Sequence, residues 1–111
     1  MSDENRSART QLILLYGAKC MATMLQTDLT YHHIEKAEWG GKATIENGVV
    51  LTSKFHCWLT DLECKDPELY DLVNECFVLY KMCLDRGLTE LVDMYMDECV
   101  PEFQKKLIKR R

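Results

Sequence analysis

Apolar residues recur at three- and four-residue steps along most of this chain, which is the spacing of amphipathic helices. From Ala8 the spacing predicts a first helix that continues to Met24, with Gly17 at a close contact to another helix. The run has little polar circumference, so we expect a central helix or one in a subunit interface. Residues 1–7 are polar and are expected to be mobile. The predicted buried positions are Leu12, Leu15, Tyr16, Cys20, Thr23 and Met24.

A second, shorter helix is predicted from Tyr31 to about Trp39. Asp28 or Thr30 can cap its start, and Gly40-Gly41 would end it.

The next segment favours a β-hairpin around residues 43–52. Asn47-Gly48 lies between β-forming residues, and both residues tolerate the positive φ of a tight hairpin turn. This turn would place Ile45 opposite Val50. In the alternative, Asn47-Gly48 is a plain loop and the next helix begins near Thr52.

Two further helices have clear boundaries. Ser53 to Glu63 places Phe55, Trp58, Leu59 and Leu62 on one face. Asp66-Pro67-Glu68 combines a cap oxygen, a residue without an N–H, and a carboxylate at the positive end of the dipole. The helix that starts there runs to about Arg86, and Gly87 stops it. It carries two adjacent apolar stripes, Leu69, Leu72, Cys76, Leu79 and Cys83 beside Val73, Phe77, Tyr80 and Leu84.

Thr89 can cap a last helix, in which Pro101 predicts a kink or break near Glu98 to Val100. Its apolar positions are Leu91, Val92, Tyr95, Cys99, Phe103 and Leu107. The predicted fold is therefore mainly α, an antiparallel bundle of four or five helices with one short hairpin. Residues 8–111 should form a single domain, as is usual at this length.

Charge is distributed unevenly along a chain whose net charge is only −4. Between Asp61 and Glu102 there are twelve acidic and three basic residues, whereas residues 103–111 hold five basic residues and no acidic one. The helix after Gly87 carries no Lys or Arg before Pro101, so it would be repelled by phosphates if it served as a recognition helix. Direct nucleic-acid binding is therefore not expected.

The first residues are polar and partly acidic and do not form a signal peptide, and no segment is suited to span a membrane. A cytoplasmic location is expected, where the six cysteines would remain reduced. Four of them, Cys20, Cys76, Cys83 and Cys99, fall on apolar helix faces.

Candidate chemistry is sparse. His32 and His33 are adjacent, and His56-Cys57 is a second pair, but no two ligands have the short spacing of a structural zinc site. Neighbouring residues on a helix point about 100° apart, so His56 does not activate Cys57. No phosphate-binding loop or nucleophile elbow is present. We therefore expect neither catalysis nor a cofactor.

The acidic and apolar helices instead predict a small soluble, non-catalytic regulator that forms a homodimer and binds a protein partner with a basic surface. The predicted partner-binding residues are Asp71, Glu75, Asp93 and Asp97, spaced i, i+4 and opposite the apolar stripes. One alternative is an acidic inhibitor that mimics nucleic acid and blocks a DNA- or RNA-binding protein of defence or transcription. A second is a metal-binding regulator that uses His and Cys residues.

Overall fold

Helices make up most of the chain, and two short strands form one antiparallel sheet. The computed structural model describes residues 2–108. Its elements are α1 (Asp3–Tyr16), β1 (Leu29–His33), a 3₁₀ turn (Ala37–Trp39), β2 (Gly48–Thr52), α2 (Ser53–Lys65), α3 (Pro67–Asp85), α4 (Thr89–Met94), a π-helical turn (Tyr95–Cys99) and α5 (Val100–Ile108). The predicted class, mainly α with a short two-stranded antiparallel sheet, is confirmed.

The chain divides into two compact units whose boundary falls inside α2. The first unit extends through His56 and the second begins at Cys57. The expectation of a single domain stays a prediction.

The first helix lies closer to the N-terminus than predicted. Ser2 caps α1, because its Oγ accepts a hydrogen bond from the backbone N–H of Asn5 at 3.1 Å. The helix ends at Gly17, whose φ of 99° no continuing helix allows, and the prediction that it reaches Met24 is wrong. Gly17 is thus a stop signal rather than a helix contact, and Cys20 is buried outside any helix. The mobility of residues 1–7 stays a prediction.

Only one side of α1 is buried. Ala8 and Leu12, one turn apart, pack with Tyr31 and Val50, whereas Leu14 and Leu15 are 81% and 58% exposed. The helix is therefore amphipathic and not surrounded by core, which corrects the expectation of a central helix.

The segment predicted as a second helix is a strand. Leu29–His33 pairs with Gly48–Thr52, so that Tyr31 lies opposite Val50 and Thr30 opposite Leu51. Thr30 does not cap a helix, since its hydroxyl donates to the Leu51 carbonyl at 3.0 Å. Long-range pairing with the run Val49-Val50-Leu51 outweighs the local start and stop signals of a helix, as tertiary contacts commonly do.

The hairpin prediction is right about its second strand, which is β2, but wrong about the strand that pairs with it. Residues 43–46 are not a strand, and Ile45 does not face Val50. The Asn47 side chain instead closes the loop between β1 and β2: its Oδ1 accepts from the Glu35 N–H at 2.8 Å, and its Nδ2 donates to the Glu35 carbonyl at 2.9 Å. Gly48 begins β2 because its bare Cα leaves room for the Tyr31 ring.

The boundaries of α2 and α3 agree well with the prediction. In α2, Phe55, Leu59 and Leu62 are buried and Trp58 is half-buried. Asp66 caps α3 through Oδ1, which accepts from the Leu69 N–H at 3.2 Å, and Gly87 follows the helix with a φ of 66°.

Only the second of the two stripes predicted on α3 is core. Val73, Phe77 and Tyr80 are buried, together with Tyr70, Asn74 and Lys81. In the first stripe, Leu72 and Leu79 are 56% and 59% exposed. The two stripes are equally periodic in sequence, so the spacing could not show which one the core would take.

The last helical stretch differs from its prediction at its start, and it is irregular ahead of Pro101. Leu88, not Thr89, occupies the cap position, and no side chain caps α4. Ahead of Pro101 the helix neither breaks nor stays regular; it widens into the π turn, in which the Val100 N–H donates to the Tyr95 carbonyl. Lys109, Arg110 and Arg111 of the predicted basic tail lie outside the described residues.

The close approach of Gly48 and Tyr31 is testable. A Cβ atom at Gly48 would overlap Cε1 of the Tyr31 ring, so Gly48→Ala should lower the free energy of unfolding by about 1–3 kcal/mol. Urea denaturation checks this, and the penalty should shrink when Tyr31 is also replaced by Leu. An equal penalty in both backgrounds would mean that the Tyr31 ring is not what excludes a side chain.

The identity of the buried stripe on α3 can be tested with a matched pair of truncations. Phe77 is 0% exposed, so Phe77→Ala should cost about 3–5 kcal/mol of unfolding free energy. Leu79→Ala removes an exposed side chain and should cost less than about 0.5 kcal/mol. Similar losses for the two variants in denaturant titrations would contradict the burial pattern.

Candidate functional site

The outward side of α3 carries apolar and acidic side chains in alternation. Leu72, Leu79 and Met82 are all more than a third exposed. Glu75 lies between them in sequence, and spacings of three, four and three residues place these four residues on one side of the helix. Asp71 is exposed beside them.

The four predicted partner-binding residues are all exposed. Asp71 and Glu75 lie on α3, Asp93 on α4 and Asp97 in the π turn. Within residues 2–108 none of the four forms an ion pair. All four lie away from the buried side of their helices, but Glu75 lies on the same side of α3 as Leu72 and Leu79, which belong to one of the predicted apolar stripes. Their role in binding stays a prediction.

The outer surface of α4 has the same mixed character. Leu88, Leu91 and Met94 are exposed at three-residue steps, and Glu90 and Asp93 are exposed between them. The sequence prediction had assigned Leu91 to the core stripe of this helix, which the structure corrects.

An aromatic contact sets which side of α3 faces outward. The rings of Tyr80 and Tyr95 stack with centroids 3.8 Å apart at an angle of 13°, and Phe77 lies 6.1 Å from Phe103. The Tyr80 hydroxyl donates to Sδ of Met96 at 3.8 Å. Burial raises the pKa of Tyr80, so this hydroxyl keeps its proton at neutral pH.

In the first unit, the structure brings together two histidines that are 24 residues apart in sequence. Nδ1 of His32 lies 3.4 Å from Nε2 of His56, and Nδ1 of His56 lies 2.9 Å from Oγ1 of Thr30. Thr30 and His32 share one face of β1 because side chains alternate along a strand, and His56 is in the first turn of α2, directly after β2.

The hydrogen bonds of this cluster bear on which imidazole nitrogens of His32 and His56 carry a proton. The Thr30 hydroxyl lies 3.0 Å from the Leu51 carbonyl oxygen and 2.9 Å from Nδ1 of His56; when its only proton goes to the Leu51 carbonyl, Nδ1 of His56 is the donor to Thr30. In the neutral ring Nε2 of His56 is then an acceptor, and Nδ1 of His32 donates to it. In this arrangement His56 cannot take a proton from Thr30, which is the reverse of what a hydroxyl nucleophile requires.

Burial lowers the pKa of His56, and the nearby positive charge of His33 when protonated lowers it further. Cys57 is exposed on the next position of α2. Across residues 2–108, no three His, Cys, Asp or Glu side chains are close enough to hold a metal ion.

Sequence reasoning missed the contact between His32 and His56. It assigned His32 to a helix, which places Thr30 and His32 on different faces. Treating Leu29–His33 as a strand paired with 48–52 would have revealed the shared face, because alternation alone puts Thr30 and His32 together.

Comparisons with protein-family models, with curated proteins and with solved structures find nothing that matches this chain. In the part of the chain that the structure describes, no helix is both long enough and apolar enough to cross a bilayer. The surface and the histidine cluster are therefore interpreted from their own geometry.

The histidine cluster predicts how stability depends on pH. The pKa of His56 is lower in the folded protein than its ordinary value of 6.5, so the unfolded chain binds a proton first as the pH falls. The free energy of unfolding is therefore highest at a pH above the pKa that His56 has in the unfolded chain, and it decreases as the pH falls below that value. The free energy of unfolding should therefore decrease from pH 7.5 to pH 5.5.

Urea denaturation at pH 5.5, 6.5 and 7.5 measures this effect, and His56→Gln should show a flatter pH dependence than the parent protein. His33→Gln should also flatten the pH dependence, because burial lowers the pKa of His33 and the charge of His33 contributes to the lowered pKa of His56. The cluster would not be the source of the pH dependence if His56→Gln left the slope unchanged.

Proposed function

We propose that this protein is a non-catalytic regulator that binds a macromolecular partner through the outward sides of α3 and α4. The observation that supports this most is the set of four exposed carboxylates that form no ion pair within residues 2–108, interspersed with exposed Leu and Met side chains. Folding gains nothing from like charges at i, i+4, since such pairs repel. A protein partner with a basic, partly apolar surface fits both features.

Mimicry of nucleic acid is the less favoured function. A phosphate mimic requires a continuous row of charges, whereas exposed Leu72 and Leu79 interrupt the acidic row on α3. These apolar side chains would lie against basic groups without compensation, but they suit an interface that contains an apolar centre.

The test removes the charges and keeps the shapes. The variant Asp71→Asn/Glu75→Gln/Asp93→Asn/Asp97→Asn should fold as stably as the parent or slightly more stably, because it relieves like-charge repulsion. Parent and variant serve as baits in the native lysate, and association of any protein retained by the parent is then measured at low and moderate salt. The variant should associate more slowly, with a flatter salt dependence, because rim charges act mainly on the encounter rate.

A matched pair of double variants controls for net charge. Asp71→Asn/Glu75→Gln removes two carboxylates from α3, whereas Glu4→Gln/Glu35→Gln removes two exposed carboxylates from the first unit. Only the former should weaken binding. Equal binding by the parent, the fourfold variant and both double variants would show that these carboxylates serve only solubility.

A further inference from the structure

We infer that the outward side of α3 is a docking strip for a basic amphipathic helix of a partner protein. The α3 strip consists of Leu72, Glu75, Leu79 and Met82, with Asp71 at its edge. This inference rests on the proposed function and specifies it: it names one helix, its anchoring residues and the chemistry of the segment that would lie on it.

The spacing of the α3 strip is that of a helix–helix seam. Leu72, Glu75, Leu79 and Met82 follow one another at three-, four- and three-residue steps, as the facing positions of paired helices do. The strip extends about 15 Å from Leu72 to Met82, at 1.5 Å per residue. A partner helix of about three turns would cover it.

The α3 strip is also held ready for docking. Its opposite side is anchored by buried Val73, Phe77 and Tyr80, and Tyr80 stacks on Tyr95. The helix is capped at its start by Asp66 and stopped at Gly87. Docking therefore needs no folding of α3, and only the exposed side chains lose freedom.

Glu75 determines the charge of the occupant. It lies within the strip, between Leu72 and Leu79, so a docked helix would remove it from water. A carboxylate that loses water without gaining a partner is costly, and the occupant must therefore offer a Lys or Arg opposite Glu75. Asp71 at the edge, and Glu68 and Asp85 toward the ends of α3, favour further basic residues on its flanks.

The same charges argue against pairing of α3 with the α3 of a second copy of this chain. Among the exposed residues of α3, four acidic side chains stand against no basic one, since Lys81 is buried. Pairing α3 with its own copy would bring these carboxylates together and leave Glu75 without a cation. Carboxylates that face each other across an interface repel, and this repulsion disfavours an α3–α3 pair.

The experiment uses defined probes and the full chain. The first probe is an 18-residue helical peptide of Leu and Lys, with Leu on one face and Lys along both flanks; the second has Glu in place of every Lys. Affinities are measured by calorimetry, and the contacted residues are mapped by backbone amide NMR shifts. The Lys peptide should bind at least tenfold more tightly than the Glu peptide and shift amides of α3 around residues 72–82.

Two variants and one control locate the binding. Leu72→Gln/Leu79→Gln should weaken the Lys peptide at least tenfold, and Glu75→Gln about threefold or more. Leu14→Gln/Leu15→Gln changes an exposed leucine pair on α1 and should leave the affinity unchanged. All four substituted leucines are exposed, so circular dichroism and urea denaturation should show an intact fold in each variant.

Several results would overturn the inference: equal affinity for the two peptides, no effect of Leu72→Gln/Leu79→Gln, or amide shifts centred outside α3. Self-association of the parent that Leu72→Gln/Leu79→Gln abolishes would assign the strip to a second copy instead. The proposed function fails separately, when the fourfold carboxylate variant keeps its natural partner. A different result is loss of that partner by the fourfold variant while Leu72→Gln/Leu79→Gln and Glu75→Gln leave the affinity for the Lys peptide unchanged. In that case only the assignment of the α3 strip is wrong.

Discussion

The stacking of Tyr80 on Tyr95, with Phe77 buried beside it, determines how α3 is rotated about its own axis. A helix with two adjacent apolar stripes can bury either one, and the residues exposed to solvent depend on which stripe is buried. Because the aromatic side contributes the larger apolar area to the core, Leu72 and Leu79 remain outside. The mixed apolar and acidic surface of the second unit is thus a consequence of aromatic packing.

The pairing of β1 with β2 has the same role in the first unit. It brings Leu29–His33 beside Gly48–Thr52 and leaves the 14 residues between them as a loop that the Asn47 side chain closes. The register places Thr30 and His32 on one face, where His56 reaches both. A slip of one residue would move both side chains to the other face, so the histidine contact depends on this register.

Prediction from sequence succeeded where the signal was local. The cap at Asp66, the stop at Gly87 and the buried face of α2 each depend on a few neighbouring residues, and each is present. Prediction failed where distant residues compete: Tyr31–Trp39 is flanked by helix start and stop signals, but Leu29–His33 pairs with a strand some twenty residues away. Of the candidate site, the exposure of the four carboxylates could be predicted; the exposed leucines beside them and the contact of His32 with His56 could not.

The amino-acid sequence by itself determined the mainly helical class, the start and end of α3, and the concentration of negative charge after Asp61, since capping chemistry, periodicity and charge are properties of short segments. Only the tertiary structure decided which apolar stripe of α3 is core, which strand pairs with β2 and which histidines touch. These outcomes depend on the area that distant segments bury against each other, and a periodic pattern specifies a face of a helix without naming the surface that will cover it.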